Sequence, residues 1–427
     1  MLYSPMPQRA DIVNHARIIV LTALCSVLLA YAYLSAKERS WFNILTPQLV
    51  LAIPAMYLAQ LVRLQTVDEF FGVELYAYMY ACYALPVVIF AMTLIHVRLP
   101  SWLAVQSRPT VIVRNSPYVF LGIGVLLFAP ILLEFGDQIL SPRAIYEKTR
   151  TGYGLNFFLS TTFAVLGMAL YMFKENRKAW ELLAVFVFCC AFGMAHGSKG
   201  QLFIFMLVPM LYWRYVAGKR VRLGQMTLLM IAFGGFMGFL FYFFAVGVEL
   251  SNLVEMIAGY ADYTSNGLMV MADNRPALMG QIFFEDNVFS RTPRLIFPDK
   301  PKDFGSFYLA QTYFPAAFEL DQGVPAFGIG VQFADFKWLT LPVLCAAAFV
   351  MALITKRYIL ALRRFRHPGD FIVLLFLSGV SLLPLGVGFF LPEHIIIAWL
   401  VSFCLRLRLF GSPTNGVGSR AVPYVES

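Results

Sequence analysis

Charge is scarce in this chain. Lys, Arg, Asp and Glu supply 13% of its 427 residues, against about 25% in an ordinary soluble domain. Hydrophobic residues reach 59% and mean hydropathy is +0.70, which excludes a soluble globular protein and predicts an all-α polytopic membrane protein. The cysteines are sparse too. Cys25, Cys82, Cys189, Cys190, Cys345 and Cys404 all lie in apolar runs, without the Cys-x-x-Cys or Cys/His spacing of a metal site, so neither zinc nor a disulfide framework is expected. The first apolar run, Ile18 to Ala36, lacks a small-residue cleavage site and reads as a span, not a removable signal. No internal repeat of the kind that builds inverted-repeat carriers is visible. Charge is also missing from the middle of the apolar runs: Arg63, Glu74, Glu134 and Arg214 all fall near their ends. That pattern counts against a proton-coupled pump, which needs ionisable groups near the midplane.

What is present is a series of apolar runs near the ~20 residues needed to cross a bilayer. They fall at about 18–36, 46–62, 75–95, 117–133, 155–173, 179–195, 201–217, 223–248, 338–355, 371–389 and 392–406, predicting eleven spans. Most of the 33 Lys and Arg residues sit in the connections at 37–45, 96–116, 174–178, 214–222 and 356–370 and in the C-terminal tail. Positive loops face the cytoplasm. The net charge of +9 therefore reports topology, not nucleic-acid binding. The N-terminus is expected outside and the C-terminus inside. The organisation predicted is a bundle of eight helices over 1–247, a long outer loop over 248–336, three more helices over 337–410, and a cytoplasmic tail over 411–427.

The outer segments hold the chemistry. The loop at 134–154 mixes Arg143, Lys148 and Arg150 with Tyr146, a combination suited to phosphate and sugar and equally to an interfacial belt. The turn His196-Gly-Ser-Lys199-Gly joins two spans with almost no loop, so Lys199 is a cation at the membrane face, where it could meet a lipid phosphate or simply snorkel to headgroups. A second tight turn carries Glu393 and His394, the chain's one pair of adjacent acid and imidazole, suited to general-base work. Within the long insert, apolar residues at Leu250, Leu253, Val254, Ile257 and Tyr260 predict a surface helix over 250–263 with Asp262 among its polar positions. Asp273-Asn-Arg275-Pro breaks that pattern. Then Arg291, Arg294, Lys300 and Lys302 crowd a proline-stiffened stretch, beside Glu285, Asp286, Asp299 and Asp303. Such a cation cluster fits an anionic ligand, arginine forks especially suiting phosphate oxygens; a solvated loop balanced by its own acids is the plainer alternative. A glycine-rich return, Gly323 to Gly330, closes the insert.

These features in this order resemble the oligosaccharide repeat-unit polymerases of bacterial envelope polysaccharides, the Wzy-type or O-antigen polymerase group, including the enterobacterial common antigen branch. The stretches that carry the likeness are 141–154, Gly197 to Gly200, Arg294-Leu-Ile-Phe-Pro-Asp-Lys300-Pro and Gly323 to Gly330. Relatives often carry arginine in place of Lys199 and near the Glu393-His394 turn. The resemblance implies a GT-C-like fold in the bacterial inner membrane and an inverting, metal-independent glycosyl transfer on the periplasmic side, with no cofactor. It implies undecaprenyl-diphosphate-linked oligosaccharides as substrates, and a chain-length regulator and a flippase as companions. Under it, Arg291, Arg294 and Lys300 become candidates for stabilising the departing diphosphate. Arg143, Tyr146, Lys148, Arg150, Lys199 and Lys302 become substrate-binding candidates, and Glu393, His394 and His196 candidate bases. An O-antigen ligase, passing the glycan to lipid A core, shares the same outline. A non-enzymatic lipid or polysaccharide transporter is the rival from another class, opposed by cations gathered on one face.

Overall fold

A computed structural model describes residues 9–66, 74–99, 113–138, 145, 153–197, 199–244, 262–273, 275–289, 297–299, 301–319, 326–379, 396–397 and 399–401. The described chain is helical, with no strand beyond one isolated bridge between Val113 and Lys174. Six stretches are long and apolar enough to cross a membrane: Ile12–Glu38, Thr46–Leu64, Leu75–Arg98, Ser116–Gln138, Gly154–Tyr171 and Gly330–Phe365. Shorter apolar helices cover Ala179–Ala195, Leu223–Phe236 and Pro368–Ser378. This is a multi-pass membrane protein. Helix lies over the described part of every expected run, which for the tenth is 371–379 and for the eleventh 396–397 and 399–401.

The chain forms two compact units. The first comprises Met1–Ser101, Lys219–Lys356 and Leu377–Leu391; the second comprises Trp102–Gly218, Arg357–Phe376 and Pro392–Ser427. Within each unit, the connections expected on one side of the membrane do meet. In the first, Nε2 of His96 lies 3.2 Å from Glu38 Oε1, and Lys356 Nζ donates to the His96 carbonyl at 3.0 Å. The amide of Trp41 donates to the Val221 carbonyl. In the second, Lys174 Nζ donates to Glu181 and Tyr118, while the Arg177 guanidinium lies 4.7 Å over the Tyr212 ring. Residues that the charge pattern assigned to one face therefore share an end of their bundle.

Core packing differs between helix pairs. Ser116–Phe135 and Gly154–Tyr171 approach so closely that a Cβ on Gly124 would stand 3.0 Å from the Ser160 carbonyl oxygen. The span Thr46–Leu64 widens through one π-turn at Pro54–Leu58, since a proline nitrogen has no proton to continue the α-helical ladder. That turn precedes Gln60 and Arg63, two polar residues that the first unit uses.

Candidate active site

The long insert is anchored near its start by a buried acid. Asp262, 1% exposed, caps the helix Tyr263–Ala272 by accepting from the Ser265 amide at 3.0 Å. An aspartate at an N-cap satisfies one of the unpaired amides of the first turn. Gln60 Nε2 donates to Asp262 Oδ1 and to Ser265 Oγ, both at 2.7 Å, and its own oxygen accepts from Tyr78 at 3.0 Å. Arg63 Nε stands 2.7 Å from the second carboxylate oxygen. Thr264 Oγ1 donates to the Met56 carbonyl. Residues 250–261 lie outside the described residues. The polar, outward position expected for Asp262 on a surface helix is corrected: it is a buried cap that ties the insert into the spans. Arg63, near the end of its apolar run, pairs with it.

The return path is built on close backbone approach. A Cβ on Gly330 would stand 2.8 Å from Gly267 Cα, and one on Gly267 would stand 2.9 Å from the Phe327 carbonyl. Gly328 adopts φ +52 against Tyr263, a conformation cheap only for glycine. The glycines of the return that are described thus serve packing. Just beyond, the Asp335 carboxylate accepts from the amides of Ile282 and Phe283 at 3.0 and 2.9 Å, fixing the start of the helix Gln281–Val288. An acid belongs there because helix N-termini carry unpaired amides and partial positive charge.

The cation-rich stretch is clamped at both ends. Glu285 Oε2 accepts from the Gly305 amide at 2.7 Å, and Asp286 Oδ1 from the Ser306 amide at 2.9 Å, with the Ser306 hydroxyl on the other Asp286 oxygen. These two acids therefore cap the helix Ser306–Tyr313 and do not merely balance neighbouring cations. Phe289 packs against Phe297 at 5.7 Å and Phe304 at 5.9 Å between ring centres. The described residues flanking Arg291 and Arg294, and those flanking Lys300, thus belong to one aromatic base. Lys302 is exposed, as are Asp299 and Asp303. Beside this base, Arg275 pairs with Asp273 at 2.7 Å and donates to Tyr308 at 3.0 Å, and Tyr313 donates to Asp273. Burial, then that bond to Asp273, holds the Tyr313 phenol above its ordinary range. Arg275, Tyr308 and Tyr313 line a small cavity of about 80 Å³ with Val270, Leu278 and Lys337.

In the second unit, His196 closes the helix Ala179–Ala195 and is fully buried. Its ring stacks on Phe128 at 3.8 Å and contacts Phe157 and Phe192 at 5.1 and 4.4 Å. Nδ1 lies 2.8 Å from the Phe192 carbonyl and Nε2 lies 2.8 Å from Ser160 Oγ. Since a carbonyl can only accept, Nδ1 carries the proton and Nε2 accepts from the serine. Burial pushes the imidazole pKa down to about 4. With both nitrogens engaged and no exposed edge, the ring as placed presents no free nitrogen. Gly197 turns the chain at φ +65, and Lys199 opens the helix Lys199–Leu211. Its side chain, together with Arg143, Tyr146, Lys148, Arg150, Arg291, Arg294, Lys300, Glu393 and His394, lies outside the described residues. Among the described residues no three His, Cys, Asp or Glu side chains gather as metal ligands.

Sequence reasoning passed over Asp262, Gln60, Asp335 and Arg275. The signal for Asp262 was legible: Asp-x-x-Ser before an apolar helix is an N-cap pattern. Partners 202 and 53 residues apart in the chain, for Asp262 and Asp335, leave no such local trace.

With this geometry in place, comparison supplies the family. The chain is 32% identical over 391 residues to the O-antigen polymerase of Salmonella typhimurium strain LT2, covering 90% of this chain and 94% of that protein. The chain belongs to the O-antigen polymerase family. The O-antigen polymerase of Salmonella typhi matches with the same identity and coverage. No family model and no solved structure matches. Because alignment spans nearly the whole of both chains, the insert and both units fall within the family's common length.

Proposed function

We propose that this protein polymerises undecaprenyl-diphosphate-linked oligosaccharide repeat units into an O-antigen-type envelope polysaccharide. The observation that carries the reading is near-full-length identity to two proteins named O-antigen polymerase. The finer statement is an inverting, metal-independent transfer at the periplasmic face of an eleven-span, GT-C-like bundle, with N-terminus outside and C-terminus inside. The acceptor sugar hydroxyl attacks the donor's anomeric carbon, the bond from that carbon to the diphosphate oxygen breaks, and the hydroxyl proton passes to a base.

A leaving diphosphate gains negative charge, so cations positioned for that charge lower the barrier most. Arg291, Arg294 and Lys300 take this role; the clamp through Glu285 and Asp286 supports it, because a loop fixed at both ends positions its side chains at lower entropic cost. Lys199, Lys302, Arg143, Tyr146, Lys148 and Arg150 hold the lipid-linked substrates. With His196 enclosed in its aromatic box, Glu393 and His394 are left for the base. The test is purified protein in nanodiscs with a defined lipid-linked repeat unit, product length being read by gel or mass spectrometry. A ladder of multiples is expected; a well-folded protein that extends nothing overturns the reading. Deletion of the gene should leave single repeat units on lipid A core, whereas bare core would mark a ligase.

A further inference from the structure

We propose that the cavity edged by Arg275, Tyr308, Tyr313 and Lys337 is a sugar subsite. It takes the methyl-bearing substituent of one sugar, an acetamido group or the methyl of a deoxyhexose. That the sugar belongs to a lipid-linked repeat unit rests on the function proposed above; that the cavity binds such a sugar does not.

The cavity opens over the packed core of the insert. Val270, Leu309 and Ala334 line it and are at most 6% exposed. Each comes from a different helix, Tyr263–Ala272, Ser306–Tyr313 and Gly330–Phe336. Leu278 adds a wall, its amide tied to the Ala334 carbonyl at 3.0 Å. The space is therefore preformed, as ligand pockets usually are. A lining this apolar disfavours a bare phosphate or carboxylate, which would give up water for hydrocarbon. The volume of about 80 Å³ is roughly half of the ~150 Å³ that accommodates a benzene ring. That is room for a methyl or acetamido group and not for a whole pyranose.

The rim is polar and held in place. Arg275 Nε pairs with Asp273 at 2.7 Å, its guanidinium donates to the Tyr308 hydroxyl at 3.0 Å, and Tyr313 donates to Asp273 at 3.0 Å. Among the described residues, the other guanidinium N–H groups and the Tyr308 proton take no partner. Those donors suit the carbonyl of an acetamido group or a ring hydroxyl. Lys337 completes the rim under strain. Its backbone sits at φ +50, ψ −130, a region cheap only for glycine, and strain of that kind gathers at functional sites. Its ammonium lies 5.2 Å over the Phe333 ring and, among the described residues, forms no ion pair. Trp338, next in the chain, packs against Tyr76 at 5.5 Å and Tyr80 at 4.9 Å, at the start of the span Leu75–Arg98. Tyrosine and tryptophan grouped at the ends of spans mark the headgroup level, the depth at which a glycan joined to a lipid diphosphate begins.

The test is saturation-transfer NMR on the full-length protein in nanodiscs, irradiating aromatic protons, with empty nanodiscs as the blank. The probes are N-acetylglucosamine, rhamnose and glucose, of which only the first two carry a methyl group. Saturation of the acetyl or the rhamnose methyl is expected severalfold above that of any glucose proton, and the stronger of the two names the substituent. Arg275→Gln and Lys337→Met should each cut that signal severalfold, and Ala334→Leu, which fills the cavity, should abolish it. Size exclusion and thermal unfolding confirm each fold; if Ala334→Leu misfolds, the two rim variants decide. No saturation of either methyl-bearing sugar, glucose responding as strongly, or an unchanged signal in both rim variants overturns the subsite. Binding without extension of a lipid-linked unit overturns the polymerase reading alone, and extension without binding overturns the subsite alone.

Discussion

Two buried polar centres among the described residues, one in each unit, are stabilised by different physics. In the first, an aspartate with 1% exposure is met by an arginine, a glutamine and a backbone amide. In the second, a histidine at zero exposure is packed among three phenylalanines and kept neutral. A buried carboxylate is tolerable only when paired and hydrogen-bonded. An imidazole has the cheaper option of giving up its charge. Both centres fasten a piece of chain to the helices: the insert through Asp262, the helical hairpin through His196. The comparison assigns holding to these two buried polar groups.

Set against that holding is the working half, the cations proposed above for the leaving diphosphate. Alanine at Arg294 or Arg291, and Lys300→Ala, should each lower turnover by about 10²–10³ while leaving the melting temperature unchanged. Activity is read in the lipid-linked extension assay and stability by thermal unfolding in detergent. Full activity in all three variants breaks the comparison by removing the working half.

Asp262→Ala should do the reverse. It strands Gln60 and Arg63 and removes the cap of Tyr263–Ala272. Breaking a buried ion pair costs roughly 3–5 kcal/mol, and the low end applies because Arg63 is one third exposed and can rehydrate. Asp262→Asn, which can still accept from the Ser265 amide, should recover part of that loss. Unchanged unfolding of Asp262→Ala would show that the insert is held elsewhere.

The histidine makes a pH prediction. Its folded pKa of about 4 lies below the ordinary 6.5. Between those values the unfolded chain binds the proton and the folded chain does not, so stability rises with pH through the window. The contribution is complete above pH 6.5 and lost as pH falls to about 4, amounting to roughly 3 kcal/mol. His196→Phe keeps the ring stack, and the Ser160 hydroxyl, released from Nε2, can turn to the Phe157 carbonyl. Its unfolding temperature should therefore fall less between pH 6.5 and 4 than that of the wild type. Equal slopes would place the acid sensitivity in another group.

Legibility in the sequence followed the range of the interaction. The helical, multi-pass character was readable because apolarity is a property of each run by itself, and six stretches among the described residues are long and apolar enough to cross a membrane. Arginine and lysine cluster locally and so were readable too, and within the first unit Glu38, His96 and Lys356 meet. The insert's interior was not. Asp262 reads as one more polar residue in a loop until Gln60 and Arg63 arrive from a different span, and Glu285 and Asp286 read as counter-charges until Gly305 and Ser306 fold back on them. The surroundings of His196 were hidden for the same reason: a histidine in a tight turn shows its neighbours in sequence, while the Phe128 and Phe157 rings that enclose it come from two other helices.

The smallest expected effect separates two glycines, one in each unit, by what they face. In the first, a methyl on Gly330 would stand 2.8 Å from Gly267 Cα and 3.2 Å from a Val270 methyl. The first of these neighbours is backbone and cannot rotate aside. Gly330→Ala should therefore push Tyr263–Ala272 off its seat, at about 1–3 kcal/mol as for other overpacked sites. In the second unit, a methyl on Gly193 would meet the tips of Leu202 and Phe205 at 3.3 Å, flexible ends that a small rotation relieves. Alanine also gains about 1 kcal/mol over glycine inside a helix, so Gly193→Ala should be neutral or slightly stabilising. Thermal unfolding of the two variants side by side checks the pair. A Gly330→Ala protein as stable as Gly193→Ala would mean that the glycine return is not where insert and spans are pressed together, and Asp262 would be left as the principal fastening.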